Sequence, residues 1–348
     1  MTSSQSYWAY VPKQEDTLNG VIFPIREQIA PEESGQGYAL RMSQLNAIPG
    51  LKELKKLMGK SSTSLLSDSD AQFLSMTFGA SVEYLRFALG SAAYGDSPGQ
   101  HIYAGHQLSK PSFINRTFPR ICPVCVQDSG RSKLSWDFAA ITACHEHRLV
   151  LIDVCKGCGK KISWSRSGGN VCSCSVVFDG PKVQALDVEV EFTRWLELKI
   201  QSAHPDISVR SMPIAALETT YSKDGLIGLI WPLSLNAGLL IASALGLAAK
   251  KFQLDEQAMK ATSPLLSKAR SALMLADSLV RQLETGDSGW FELSSRNPVV
   301  NMIAECMSSW ATPADKSLAQ SLLVKLGGMY KARQWSSPNP QLSQMLLF

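Results

Sequence analysis

The sequence lacks the short motifs that mark many nucleotide-dependent and hydrolytic enzymes. It contains no Gly-x-Gly-x-x-Gly fingerprint, no phosphate loop ending in Lys-Ser/Thr and no Gly-x-Ser-x-Gly nucleophile elbow. Charge is also scarce, because only 18% of the 348 residues are Asp, Glu, Lys or Arg and the net charge is +4. These absences argue against nucleotide hydrolysis and serine-hydrolase chemistry, and they predict a globular protein without a large basic footprint.

One long uncharged stretch of the sequence could be a membrane-spanning segment. Gly225–Ala249 carries no charged residue and is long enough to span a bilayer. Pro232 interrupts the stretch, however, and its glycines and polar residues reduce its hydrophobicity. We therefore predict a short segment, a break at the proline and a buried helix over about residues 233–251, with no membrane span.

The cysteines of the chain are concentrated in one segment. Seven of its eight cysteines lie between residues 122 and 174, together with two of its five histidines. They form two Cys-x-x-Cys knuckles, one Cys-x-x-His pair and one Cys-x-Cys pair. Thiolate and imidazole are ligands that Zn²⁺ prefers, and eight of them fill two closed tetrahedral structural sites. The candidate ligands are Cys122, Cys125, Cys144, His147, Cys155, Cys158, Cys172 and Cys174.

Short loops favour a sequential pairing, in which the first four ligands hold one ion and the last four hold the other. In a crossed pairing, the two Cys-x-x-Cys knuckles would instead share one ion. Disulfides are the other alternative, but Met1–Trp8 is polar and has no signal-peptide pattern, which predicts a reducing, cytoplasmic location. His145 is left over as a non-ligand, and Cys306 is expected to be a small core residue.

Cap and turn signals predict helices on both sides of the cysteine window, which is the segment between residues 122 and 174. Ser67–Asp70 has the composition of a helix N-terminus, and glycines follow the apolar runs where helices would end. Two N-terminal helices joined by Gly79-Ala80 have the length of a helix-turn-helix, although a small bundle gives the same pattern. The predicted helices cover about residues 38–45, 51–58, 73–78, 81–89, 192–200, 265–283, 299–310 and 318–330.

These elements predict a mainly α fold in three parts. The Gly-, Ser- and Pro-containing stretch 91–119 is predicted to be a linker, which would make His101 and His106 solvated loop residues. The parts are an N-terminal helix-turn-helix domain (1–100), a central double zinc-finger module (110–182) and a helical C-terminal domain (186–348).

A catalytic zinc site would be the enzymatic interpretation of the cysteine window. A zinc deaminase needs His-x-Glu followed by Pro-Cys-x-x-Cys, whereas here the knuckle at Cys122 precedes the run Cys144–His147. A catalytic zinc also keeps one coordination position open, and the ligand count leaves none. Asp137 and Asp153 are expected to cap or support neighbouring groups rather than to act as acids. The sequence therefore predicts a protein that is not an enzyme.

The order of these motifs closely resembles the TniQ/TnsD family, the target-selection proteins of transposons with multi-protein transposases. The family's usual proline after the third cysteine is His145 here, a departure that leaves the ligands intact. Pro31–Arg41 is similar to the family's opening Pro-x-Glu-Ser pattern with its following arginine. The matching segments are Phe118–Cys125, Leu134–Trp136, Ala143–Leu151, Asp153–Gly159, Trp164 and Cys172–Cys174.

The resemblance implies a helix-turn-helix domain, two structural zinc ions and a non-enzymatic role. Such proteins mark a target DNA site and recruit the AAA+ ATPase regulator of the transposase. Some members bind an attachment sequence directly, whereas others act as a homodimer on an RNA-guided CRISPR effector. The alternative is a zinc-stabilised DNA-binding regulator outside any transposon. A neighbouring transposase and AAA+ gene would support the first interpretation.

Nucleic acid would bind to a basic surface on the predicted double zinc-finger module. Residues 110–182 contain 11 Lys/Arg and 5 Asp/Glu, a surplus that zinc-bound thiolates reduce to about +3. We therefore expect weak DNA binding by the protein alone and reliance on a partner or on dimerisation. The side chains predicted to meet phosphates or a partner are Arg116, Arg120, Arg131, Lys133, Lys160, Lys161 and Arg166.

Overall fold

The computed structural model describes residues 22–91, 101–179, 182–210, 224–248, 263–285 and 296–330. Within these ranges the fold is mainly α with a few short strands, and the prediction of the fold class is confirmed. The first 21 residues, residues 92–100 of the predicted linker and the end of the helix predicted to reach Lys251 lie outside the described residues.

Four short helices lie within the described residues 22–91: α1 (Gly35–Leu45), α2 (Leu51–Leu57), α3 (Ala71–Phe78) and α4 (Val82–Leu89). Helix α3 ends at Gly79, whose φ of 87° is left-handed, and Ser81 caps α4 by accepting a hydrogen bond from Tyr84 N. The two helices pack against each other across this turn, as the sequence predicts. Solvent-exposed charges on α4 are Glu83 and Arg86, one of each sign.

Part of the predicted linker is a β-hairpin, so the linker prediction was wrong there. Strands β1 (His101–Tyr103) and β2 (His106–Leu108) pair antiparallel around a turn at Ala104-Gly105. His106 is not a solvated loop residue, because its Nε2 lies 2.9 Å from the carbonyl oxygen of Lys199 and burial lowers its pKa. A three-residue strand is too short for its alternation to be recognised in the sequence.

The hairpin places a tyrosine on a buried carboxyl group. Tyr103 OH donates to Asp137 Oδ2 over 2.5 Å, and Asp137 is 2% exposed. Burial raises the pKa of Asp137 to about 7, although the Tyr103 hydrogen bond and the Arg116 charge oppose the shift. The predicted supporting role of Asp137 therefore takes the form of a buried link to the hairpin.

This raised pKa predicts a pH dependence of stability. The folded protein binds the Asp137 proton more tightly than the unfolded chain, so stability from this group is present below about pH 4 and is lost as the pH rises towards 7. Asp137→Asn should remove a slope of up to about 1.4 kcal/mol per pH unit within that window. Urea unfolding between pH 5 and 8 with zinc in excess measures it. The exposed control Asp128→Asn should keep the wild-type slope, and an unchanged slope in Asp137→Asn would contradict the assignment.

The cysteine window contains little regular structure. Helix α5 (Pro123–Asp128) starts at the first knuckle, and strands β3 (Ala143–Cys144) and β4 (Leu149–Val150) form a short antiparallel hairpin. An isolated bridge between Ile121 and Ile152 joins the first knuckle to the chain beyond this hairpin. With so few backbone ladders, other interactions must hold the window together.

In the described residues after the cysteine window there are seven further helices: α6 (Asp187–Ser202), α7 (Ile207–Arg210), α8 (Gly225–Ile230), α9 (Leu235–Ala248), α10 (Pro264–Thr285), α11 (Arg296–Glu305) and α12 (Pro313–Tyr330). The break predicted at Pro232 falls between α8 and α9. No helix in the described ranges is long and apolar enough to cross a membrane. Helix α9 is buried against α10 and α11, as predicted for the uncharged stretch.

Buried polar contacts attach the C-terminal helices to the cysteine window. Glu189 on α6 is fully buried and accepts hydrogen bonds from Thr142 Oγ1 at 2.9 Å and from Arg270 Nε on α10 at 2.7 Å. Asp153 accepts from the backbone N of Ser263, the residue that precedes α10, at 2.9 Å. A buried carboxylate needs such partners, so these contacts fix α10 against the window. The supporting role expected for Asp153 matches this geometry.

The motif Pro31–Arg41 attaches the N-terminal helices in a similar way. Glu33 is fully buried, and its two carboxylate oxygens accept from Arg41 Nε at 2.7 Å and Nη2 at 2.9 Å. Ser34 Oγ caps α1, while its backbone N donates to Ser132 O at 2.8 Å. The glutamate and arginine of this motif therefore build the fold rather than a recognition surface.

Candidate metal centres

The first cluster gathers ligands from two turns. Cys122 is the N-cap of α5 and Cys125 lies within it, because Pro123 at the first helical position fixes the knuckle. Cys144 ends β3, and His147 lies in the turn that leads to β4. The short β3–β4 pairing therefore brings the Cys-x-x-His pair over the knuckle.

The distances within this cluster suit a tetrahedral ion. Cys125 Sγ lies close to Cys144 Sγ, and His147 Nδ1 lies close to the sulfurs of Cys122, Cys125 and Cys144. All four of these distances are between 3.2 and 3.7 Å. A Zn²⁺ ion with bonds of about 2.3 Å to sulfur and 2.0 Å to nitrogen separates its ligands by roughly 3.5–3.8 Å. Hydrogen bonds among the three thiols lower the pKa of Cys122 and raise the pKa of Cys125, so one thiolate is stabilised by its neighbours, and a thiolate is the form that binds metal.

The second cluster lies on two turns that face each other. Cys155 and Cys158 belong to a turn that closes at Gly159, the glycine of this run that adopts a left-handed φ of 67°. Cys172 and Cys174 lie in a second turn, where Cys172 N donates to Val176 O. The sulfurs of Cys155 and Cys174 are 3.7 Å apart, and those of Cys158 and Cys172 are 3.9 Å apart.

All eight side chains thus form two groups whose ligand atoms lie within 4.8 Å of one another, in the combination of the sequential pairing. The crossed pairing does not match this geometry. The sulfur separations also exceed the roughly 2.05 Å of a disulfide bond, and each of these cysteines is free. Both donor sets fit zinc in type, number and spacing, so the two clusters could each hold one ion. Closed four-ligand sites of this kind support a fold and leave no position for a substrate.

His145 points away from the first cluster. Its Nδ1 lies 2.6 Å from Glu197 Oε2 on α6, and the same carboxylate accepts from Ser135 Oγ at 2.7 Å. Burial disfavours the charged imidazole, but the hydrogen bond and charge of Glu197 outweigh it and raise the pKa of His145. Lys133 Nζ lies 2.7 Å from Glu146 Oε1 in the same region. No local pattern points to Glu197 as the partner of His145, because the two residues are fifty-two positions apart.

The predicted contact surface needs correction. Arg120 and Arg166, 3% and 1% exposed, donate to backbone carbonyl groups, and Arg166 also stacks on Trp164 with 4.9 Å between guanidinium carbon and ring centre. Lys133 is 8% exposed and paired with Glu146. These three residues stabilise the fold and cannot meet phosphates without unfolding it. Partly exposed Arg116 and Arg131, and exposed Lys160 and Lys161, remain candidates.

The mainly α fold and the two Cys/His clusters place the protein in the class of helical proteins with zinc modules. Residues 24–151 match the TniQ family model, so this part of the chain is similar to a TniQ domain. The match covers the N-terminal helices and the first cluster and ends before the second. No curated protein matches the chain.

Proposed function

We propose that the protein is a non-enzymatic adaptor that selects the target site of a transposon. It would mark target DNA, either directly or on an RNA-guided CRISPR effector, and recruit the AAA+ ATPase regulator of the transposase. The similarity of residues 24–151 to a TniQ domain carries this proposal. The two clusters support it, because closed zinc sites would fix the N-terminal helices and the window as a rigid docking body.

The charge distribution favours an adaptor that depends on a partner. Arg120, Lys133 and Arg166 are unavailable to DNA, and α4 offers Glu83 beside Arg86. A helix with balanced charges gains little from phosphate neutralisation. We therefore expect a non-specific Kd on the order of 10⁻⁵ M for the protein alone at physiological salt. The three-part division at residues 1–100, 110–182 and 186–348 is part of the same proposal.

Capture from the native host tests the adaptor role. Affinity-tagged full-length protein, purified with zinc present, should retain the AAA+ ATPase, and deletion of its gene should reduce targeted integration. Recovery of a CRISPR effector would assign guide-dependent targeting, and recovery of DNA and ATPase alone would assign direct targeting. A protein that captures no ATPase and whose deletion leaves integration unchanged would be a DNA-binding regulator instead.

The purified protein should hydrolyse neither nucleotides nor nucleic acid. The sequence has no phosphate loop, and four-ligand zinc sites keep no open position for a reacting water. Phosphate release from ATP and cleavage of labelled duplex, each with added Mg²⁺ or Mn²⁺, measure these activities. Cleavage that co-purifies with the chain and disappears with a point variant would contradict the non-enzymatic assignment.

A further inference from the structure

Arg166 is the most deeply buried cation among the described residues, and no carboxylate there is paired with it. The side chain is 1% exposed, and its Nε and Nη1 donate to Gly168 O at 3.0 Å and to Ser163 O at 2.8 Å. The remaining nitrogen, Nη2, is buried and has no hydrogen-bond partner within the described part of the chain. Two carbonyl dipoles do not cancel a full charge, so this guanidinium group needs a source of negative charge close by.

Two other buried arginines show what Arg166 lacks. Arg41 pairs with Glu33 and Arg270 pairs with Glu189, both at 2.7 Å, so each guanidinium group has an ionised partner in the interior. A buried ion is strongly destabilising when its partner is missing. A buried arginine without a carboxylate therefore indicates that another anion is its partner.

Cys172 of the second cluster is the group whose negative charge acts on Arg166. Burial lowers the pKa of Arg166 to about 9, and the charge of Cys172 opposes that shift. The guanidinium carbon also lies 5.9 Å from the ring centre of Phe178. Phe178 N donates to Asn170 O and Cys172 N donates to Val176 O, both at 2.9 Å. The ring beside Arg166 therefore belongs to the turn that carries this ligand.

Backbone contacts hold the arginine in this position. Gly50, the residue before α2, packs so closely on Arg166 O that an added Cβ would lie 2.3 Å from that oxygen. Gly169 N donates to Gln44 Oε1 on α1 at 3.3 Å, and an added Cβ on Gly169 would lie 2.6 Å from Gly130 O, just beyond α5. The loop that carries Arg166 is therefore packed against the N-terminal helices and the first knuckle, and the side chain cannot reach solvent without breaking these contacts.

The donor set of the second cluster can supply the missing negative charge. Four thiolates around one Zn²⁺ leave a net charge of about −2, whereas the three thiolates and one imidazole of the first cluster leave about −1. A metal ion bound by the second cluster thus gathers this charge beside a cation that has no carboxylate partner in the described residues. Metal binding at this cluster and the burial of Arg166 therefore stabilise each other.

We propose that Arg166 is the counter-charge of the second cluster and raises the affinity of that cluster for Zn²⁺. Residues that support metal ligands from outside the ligand set commonly change metal affinity by about 10- to 100-fold. Arg166 is a positioning residue in this sense, because it binds no metal itself and acts through the charge of the four thiolates. The proposal rests on the second cluster alone and is independent of the adaptor role.

Zinc titration of the full-length protein tests this assignment. Arg166→Gln removes the charge, whereas Arg166→Lys keeps the charge but loses the planar guanidinium fork. A chelator buffer sets the free zinc concentration, native mass spectrometry counts the bound ions, and alkylation with N-ethylmaleimide followed by peptide mapping identifies the thiols that hold no metal. Arg166→Gln should raise the free zinc needed to half-fill the second cluster by about 10- to 100-fold, and Arg166→Lys by less than about tenfold. In Arg166→Gln the thiols of the second cluster should be alkylated while those of the first stay protected.

The matched control is Arg41→Gln, which removes a buried arginine charge that is paired with Glu33 rather than with a cluster. It should destabilise the fold and leave the zinc affinity of the second cluster unchanged. Unchanged affinity in Arg166→Gln, equal losses in Arg166→Gln and Arg166→Lys, or an equal shift at both clusters would overturn the proposal, because each would leave Arg166 a packing role only. Circular dichroism in excess zinc decides the case of a variant that does not fold. A folded Arg166→Lys beside an unfolded Arg166→Gln supports the counter-charge, and two unfolded variants overturn it.

Discussion

Removal of zinc is expected to unfold the window between residues 122 and 174. Structural zinc sites contribute roughly 10–16 kcal/mol of binding free energy in small modules, which is as large as the whole stability of many domains. The regular structure of the window is limited to helix α5, one short 3-10 turn at Leu134–Asp137 and the two-residue strands β3 and β4, which is too little to replace that contribution. Cys125→Ser should abolish binding of one ion and expose Trp136 and Trp164, which are now 2% and 4% exposed.

Elemental analysis and tryptophan fluorescence measure this effect. Wild-type protein should contain two zinc ions per chain, His147→Ala should lose one, and the adjacent control His145→Ala should keep both. His145 pairs with Glu197 and is not among the cluster's ligands, so its loss should cost stability without costing metal. One zinc or none in the wild-type protein, or two in His147→Ala, would contradict the ligand assignment.

Arg41→Met is expected to destabilise the N-terminal helices by about 3–5 kcal/mol, because it leaves the Glu33 carboxylate buried without its cation. This residue also contacts Glu27, which is half-exposed and can be solvated when the arginine is lost. Urea unfolding followed by circular dichroism measures the change. The loss should weaken the attachment of α1 to the chain at Ser132 as well.

Two variants decide whether the charge or the packing is responsible. Lys56→Met removes one partner of the exposed pair with Glu53 and should cost no more than about 0.5 kcal/mol. The double variant Glu33→Gln, Arg41→Met removes both buried charges and should recover part of the loss. A single Arg41→Met variant as stable as the wild type would show that the ion pair does not hold this segment.

Local signals in the sequence were enough for some elements. Spacing in the window predicts both ligand groups, because two ligands of one turn are placed by the backbone between them. Gly79 marks the turn between α3 and α4, because its left-handed φ is strained for other residues. Pro232 marks the break before α9, because proline cannot continue the helix that begins at Gly225.

Other features depended on contacts between distant residues. Arg120 looks like a surface cation in the sequence, yet its Nη1 donates to Ala139 O at 2.8 Å, nineteen positions away. Burying a guanidinium group is favourable only when carbonyl oxygens replace its water, and no local pattern says where those oxygens lie. The hairpin at His101–Leu108 was missed for a related reason, since its strands are stabilised by packing on α4 and α9.

The sequence by itself determined the mainly α class, the eight candidate ligands and the resemblance to a targeting family, because caps, turns and metal ligands act over a few neighbouring residues. Only the tertiary structure decided which basic residues face solvent. It buried Arg166 on Trp164 and left Lys161 on Phe118 exposed, although the sequence treats the two cations alike. Burial depends on what distant segments bring against a side chain, and that is set by the packing of the whole fold.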